Sequence, residues 1–113
     1  MNRRNGRPAL KTYTNNSTFS LRAIKFLELY FGGALIKDAA RVAGYKGTSD
    51  QALCNTGRKV LDKFSNNPHA LFRRVGPRGM DNIVRLISGA VDDDSKPERQ
   101  LEALKVLTQC FFP

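Results

Sequence analysis

The sequence predicts an all-α fold, and three observations support that prediction. Apolar residues recur at every third or fourth position along most of the chain, which places them on one face of a helix. Glycine, proline and asparagine fall in short clusters between these stretches, where helices begin and end. The chain has 113 residues, 41% of them hydrophobic, which is enough for one compact core or for a small domain with an assembly element.

The first predicted helix begins at residue 18 or 20 and ends at residue 31. Its apolar face is formed by four residues at helical spacing: Leu21, Ile24, Leu27 and Phe31. Gly32 and Gly33 follow and end the helix, because glycine adopts the left-handed conformation of helix C-termini without steric cost.

Residues 32–64 have the outline of a helix-turn-helix. A short helix with a small-residue face at positions 36, 39, 40 and 43 is followed by a glycine-bearing turn at 44–47. Thr48 and Ser49 are then candidates for the N-cap of a longer helix. That helix is predicted to bury one stripe of residues: Leu53, Gly57, Val60, Leu61 and Phe64. Small side chains let two helices cross closely at a short turn, so the pattern is typical of this motif.

The opposite side of the longer helix is polar and basic, which favours contact with DNA. The candidate DNA-binding residues of this unit are Lys46, Thr48, Ser49, Gln51, Asn55, Arg58, Lys59 and Lys63. The hydroxyls suit phosphates, the amides suit base edges, and the cations suit the backbone or guanine. The alternative is a solvated amphipathic helix whose charges only keep it soluble.

Residues 1–17 hold few large apolar side chains, so we expect a flexible basic arm. Arg3, Arg4 and Arg7 are its candidate DNA-binding residues. The order Gly-Arg-Pro at residues 6–8 is similar to the core of hooks that place an arginine in the narrow minor groove of A·T-rich DNA. The alternative is a basic tail that touches phosphates without sequence preference.

The chain carries a formal charge of +9 at pH 7, which points to nucleic acid first and to an anionic membrane surface second. Residues 1–34 hold six bases and one acid, whereas residues 65–113 hold seven bases and six acids. We therefore expect the first part of the chain to meet double-stranded DNA and the second part to meet protein.

A break is predicted at residues 76–79, where two glycines flank a proline and an arginine. It separates a helix that begins at Pro68 from an amphipathic helix near residues 80–91. The expected organisation is a basic arm at 1–17, a helix-turn-helix DNA-binding domain at 18–75, and short C-terminal helices for self-association at 76–113.

The last predicted helix has apolar residues around much of its circumference. It therefore needs to pack against other elements on more than one side, and we expect another subunit to be one of them. The candidate self-association residues are Ile83, Ile87, Leu101, Leu104, Leu107 and Phe111. Three aspartates precede this helix at 92–94, and Ser95 and Glu98 have the spacing of a capping box. The aspartates are alternatively ligands of a divalent cation, but we favour the capping role.

Nothing in the sequence indicates catalysis, a bound metal or a cofactor, so we expect a protein that is not an enzyme. His69 is the only histidine and has no cysteine or second histidine at ligand spacing. Cys54 and Cys110 lack the spacing of a metal site and are expected to be reduced. No apolar run approaches the about 20 residues needed to cross a bilayer, so no membrane partner and a cytoplasmic location are expected.

Residues 32–45, GGALIKDAARVAGY, resemble the helix-turn-helix of the small subunit of bacteriophage terminases. In that family the motif typically reads as a glycine, a stretch with paired alanines and an Ala-Gly-Tyr turn. Phe26, Leu27 and Tyr30 sit where the family's first helix carries Phe-Val and Tyr. Gly57 and Leu61 match its recognition-helix pattern. Asn-Pro at 67–68 and the apolar run of the last helix are also similar, so the resemblance covers most of residues 19–111.

The resemblance implies a role in packaging viral DNA. Proteins of this family recognise viral DNA, assemble into rings and present the DNA to a large subunit that holds the ATPase and nuclease. It therefore implies double-stranded DNA, further copies of the chain and the large terminase subunit as partners, in the cytoplasm of the host cell. Leu35 and Ile36 depart from the family pattern, being apolar where polar residues are usual.

Two other interpretations remain open at this point. A phage or plasmid transcription regulator would use the same motif as a two-fold dimer on a palindromic site. An adaptor would bind a protein partner through the last helix, while its basic arm docks on RNA or on an acidic protein.

Overall fold

The computed structural model describes residues 19–111, without the side chain of Phe111, so the predicted arm at 1–17 lies outside the described residues. All regular secondary structure within this range is helical, which confirms the all-α prediction there. The helices are α1 Leu21–Phe31, α2 Ile36–Ala43, α3 Asp50–Asn66, α4 Pro68–Val91 and α5 Pro97–Phe111.

Polar side chains cap three of the helices. Ser20, Ser49 and Asn67 precede α1, α3 and α4, and the side-chain oxygen of each accepts a hydrogen bond from the backbone N–H three residues on. Of the two candidates for the cap of α3, Ser49 fills the role and Thr48 does not. Pro68 occupies the first turn of α4, where its missing N–H costs no helical hydrogen bond.

The aromatic ring of Phe64 lies at the centre of the core. It makes edge-to-face contacts with Phe19, Phe31 and Phe72, with ring centroids 6.0–6.2 Å apart. One ring of α3 thus packs against the segment before α1, the end of α1 and the start of α4. The predicted buried stripe of α3 is confirmed throughout.

The buried face of α1 differs from the prediction at one end. Leu21 is 71% exposed, whereas Phe26, Leu27 and Phe31 are buried. Leu21 is the first residue of the helix, and the fully buried ring of Phe19, which precedes the helix, packs in the core instead.

The break predicted near Gly76 is confirmed as a kink within α4. Gly76 has φ 76° and ψ 179°, outside helical values, and Pro77 restarts the helix. The hydrophobic core continues across this kink, because Leu71 before it and Ile83 and Ile87 after it belong to one cluster.

This packing corrects the expected role of two residues. Ile83 and Ile87 are each only 1% exposed, so in this fold they stabilise the chain's own core and do not face a second subunit. Two contacts hold this part of α4 against its neighbours: Asn82 donates to Glu28 of α1 at 3.1 Å, and Gln100 of α5 donates to the Val91 carbonyl at 2.8 Å.

Helix α5 buries a narrower face than expected. Ala103 and Val106 lie in the core, Leu107 is half-buried, and Leu101 and Leu104 remain 55% and 45% exposed. Because α5 lies close to α3 and α4, the small side chains of Ala103 and Val106 are enough to fill the space between the helices.

The capping box predicted before α5 is not formed. The hydroxyl and backbone N–H of Ser95 both donate to Asp93, so Ser95 closes a turn with that aspartate instead of pairing with Glu98.

We predict that Gly57→Ala destabilises the fold. A Cβ at this position would lie 2.5 Å from Cγ2 of Ile36 and 2.9 Å from the ring of Phe26, so α3 would have to move away from α1 and α2. The expected loss of unfolding free energy is about 1–3 kcal/mol, measured by urea unfolding.

Gly89→Ala in α4 is the matched control, because a Cβ at position 89 would meet no side chain and no neighbouring helix within 4 Å. It is expected to leave stability unchanged or to raise it by up to about 1 kcal/mol, since alanine favours helix. Equal effects of the two substitutions would contradict the close approach at Gly57.

Candidate nucleic-acid interface

The unit formed by α2, the turn at 44–49 and α3 is anchored to α1. Gly44 ends α2 in the left-handed conformation, with φ 108°. The N–H of Tyr45 then donates to the Ala40 carbonyl at 3.0 Å. The guanidinium of Arg22 in α1 lies 5.4 Å from the centre of the Tyr45 ring, a cation–π contact. The turn is thereby fixed from two sides.

An ion-pair cluster ties α2 to the first residue of α3. The carboxylate of Asp50 accepts hydrogen bonds from Lys37 at 3.2 Å and from Arg41 at 2.9 Å. Arg41 also pairs with Asp38 one turn earlier in α2, at 3.1 Å. The hydrogen bond and the positive charge of Lys37, followed by the charge of Arg41, hold the pKa of Asp50 below its usual value. All of these groups are solvent-accessible, so the cluster orients side chains more than it stabilises the fold.

Most of the predicted DNA-binding side chains of this unit are exposed together. The exposed residues are Lys46, Thr48, Ser49, Gln51, Asn55, Arg58 and Lys59. The side chain of Gln51 donates to Asn55 at 3.0 Å, so the two amides lie side by side on successive turns of α3. Neither Lys46 nor Lys59 forms an ion pair with another residue in the range 19–111.

Two predicted residues lie at the edges of this surface. Arg58 points along the side of α3 that faces α5, and its guanidinium is 3.8 Å from the carboxylate of Glu98. Lys63 is half-buried, with its ammonium group 4.7 Å from the centre of the Phe19 ring. Of the predicted residues, Gln51, Asn55 and Lys59 therefore lie on the outward side of α3, where Asp62 is also exposed.

Three arginines around the kink have no place among the sequence predictions. Arg73, Arg74 and Arg78 are all exposed, and none of them pairs with an acid in the described part of the chain. They lie within six residues of each other along the chain, on the two sides of the kink. The sequence signal was present, but the nearly balanced charge of residues 65–113 obscured it.

The remaining residues singled out in the sequence include acids and cysteines. Between residues 19 and 111 no group of three or more His, Cys, Asp or Glu side chains is arranged to hold a metal ion. Asp93 accepts hydrogen bonds from Ser95 and pairs with Arg99, and the hydrogen bonds from Ser95, followed by the positive charge of Arg99, lower its pKa. Cys54 and Cys110 are free, and burial raises the pKa of the Cys110 thiol. None of the described helices is long and apolar enough to span a membrane.

The candidate interface is thus the polar side of α3. The opposite side of α3 packs in the core, and the turn at 44–49 precedes the helix. Arg3, Arg4 and Arg7 lie outside the described residues, so they stay predictions. Comparison of the chain with protein-family models, curated proteins and solved structures found no match.

We predict that the carboxyl group of Asp50 titrates below its usual range and that Lys37→Met moves its pKa up towards that range. A depressed pKa means that the ion pairs stabilise the folded state above the unfolded-state pKa of about 3.9 and lose that effect as the pH falls through the folded-state value. A carbon-detected NMR titration of the Asp50 carboxyl measures both values.

Lys46→Met is the control. It also removes one positive charge, but Lys46 lies in the turn before α3 and does not contact Asp50, so the pKa of Asp50 should stay low. An unchanged pKa of Asp50 in Lys37→Met would contradict the cluster.

Proposed function

We propose that the chain is a DNA-binding protein of the terminase small-subunit type, which recognises viral DNA and recruits it to a large terminase subunit for genome packaging. One observation carries the proposal: Gln51, Asn55 and Lys59 project from a helix whose opposite side is locked into the core. The resemblance of residues 32–45 to the family's motif adds to it. The proposed setting is the cytoplasm of an infected host cell.

In this proposal the outward side of α3 enters the major groove, which is about 12 Å wide and admits one helix. An amide side chain can form two hydrogen bonds to adenine, so Gln51 and Asn55 are the base-reading residues. Lys46, Ser49 and Lys59 contact phosphates on either side of the groove and fix the position of α3. The hydroxyl oxygen of Ser49 accepts a hydrogen bond as the cap of α3. The hydroxyl proton can still be donated to a phosphate.

The proposal includes assembly into a homo-oligomer, in the manner of the rings implied by the resemblance. Leu101 and Leu104 support it, because α5 exposes both of them on the side opposite its buried face. Contact with the large subunit stays a prediction without an assigned surface.

A transcription regulator that binds DNA as a dimer is the second candidate. The same α2–turn–α3 unit serves it equally well, and the exposed strip of α5 is short enough for a single two-fold contact. The number of subunits bound to one duplex distinguishes the two.

We predict that the amides and the lysine of α3 act differently on DNA binding. The double substitution Gln51→Ala with Asn55→Ala should reduce the preference for a selected site over random duplex, by about 1–3 kcal/mol for each base that is no longer read. Lys59→Gln should weaken binding to all duplexes alike and make the slope of log affinity against log salt less negative by about 0.9.

Fluorescence anisotropy with labelled duplexes, after selection of a site from a random library, measures both effects. Arg85→Gln is the control, because Arg85 is an exposed base of α4 that bonds only to Asn82 among the described residues. If removing the amides and Lys59 leaves affinity and slope unaltered, α3 is not the DNA-binding helix.

A further inference from the structure

Helix α5 presents two different apolar sides. Its inner side packs Ala103 and Val106 into the core. Leu101 and Leu104, one turn apart, lie roughly opposite that side on the helical wheel and face outward. They remain 55% and 45% exposed, although a helix that served only its own core would place polar residues there.

Two opposite charges flank this leucine pair on the same edge. Glu98 and Lys105 are seven residues apart, so they share one flank of the helix at a separation of about 10.5 Å along its axis. One charge lies before Leu101 and the other follows Leu104. Glu98 and Lys105 thus make the exposed flank acidic towards its N-terminal end and basic towards its C-terminal end, with Arg58 beside Glu98 and Glu102 beside Lys105.

This arrangement is complementary to itself when reversed. When two such helices lie antiparallel, the same flanks face each other, and the acidic end of one meets the basic end of the other. In a parallel pair this flank would instead face the opposite edge of the partner helix, where Gln100 and Leu107 carry no charge. The charges thus favour the antiparallel arrangement.

We propose that α5 packs antiparallel against α5 of a second copy of this chain, around a two-fold axis midway between Leu101 and Leu104. Each Leu101 packs on the partner's Leu104, and each Glu98 pairs with the partner's Lys105, so every contact occurs twice. The inference rests on the self-association included in the proposed function and assigns one two-fold contact to it, as a dimeric regulator would also have. A ring would need a further, non-reciprocal contact elsewhere on the chain.

Contacts within the chain do not prevent this pairing. Glu98 lies 3.8 Å from Arg58, and Lys105 lies 3.4 Å from Glu102, but the side chains of Glu98, Arg58 and Lys105 are at least half exposed and such pairs hold side chains weakly. Two leucines per helix form a small interface, so association is expected to be weak and concentration-dependent.

Charge reversal tests the proposal in the full chain by sedimentation equilibrium over a range of concentrations. Glu98→Lys or Lys105→Glu alone should weaken self-association roughly 10-fold, because two attractions become two repulsions. The double variant Glu98→Lys with Lys105→Glu should return to within about 2-fold of the unaltered chain, since the pairs form again with their signs exchanged.

Recovery of self-association in the double variant can come only from contacts between two copies of the chain. Positions 98 and 105 are too far apart to touch within one chain, and the reversals leave both Arg58 and Glu102 facing a like charge. Lys25→Glu, which changes the net charge as much as Lys105→Glu but lies at an exposed position of α1, is the matched control and should leave association unchanged.

Two results would overturn the proposal. If an oligomer forms but the single reversals do not weaken it, or the double variant is no stronger than they are, the antiparallel contact is wrong while the proposed function stands. If the chain is a monomer at every concentration, this inference and the assembly part of the proposed function both fail, and DNA binding by α3 is judged separately by anisotropy.

Discussion

The close approach of α3 to α1 and α2 at Gly57 is the constraint on which the rest of the fold depends. A hydrogen at this position leaves room for Ile36 and the ring of Phe26, so three helices meet at van der Waals distance. Phe64, two turns further along α3, then reaches the aromatic rings on either side. A larger side chain at position 57 would separate the helices that hold α3 in place.

This constraint also determines what α3 can offer to a partner. Because one side of the helix is committed to the core, the other side presents a row of polar groups on a backbone that the core holds in place. The Arg22–Tyr45 contact and the exposed ion pairs of Asp50 lie at the start of the row. A preorganised surface loses little conformational entropy on binding, which suits a helix that reads bases. The proposed function draws on this rigidity more than on net charge.

Features that follow from local chemistry could be predicted from the sequence, whereas features that depend on distant neighbours could not. The buried stripe of α3 and the break at Gly76 depend on spacing, or on the conformational freedom of glycine, within a few residues. The periodicity of residues 80–91 shows an apolar face but not whether α1 or another subunit covers it, so the role predicted for Ile83 is wrong. The pairing of Asp50 with α2 likewise crosses a turn whose geometry the sequence does not specify.

The most direct test of DNA binding by α3 is NMR mapping of the full chain with a random duplex of about one and a half helical turns. The titration is made at low salt, where non-specific binding uses phosphate contacts. We expect amide shifts concentrated in residues 46–59, because the exposed polar groups of the turn and of α3 lie there. Shifts confined to residues 73–78, the arginine cluster around the kink, would contradict DNA binding by α3.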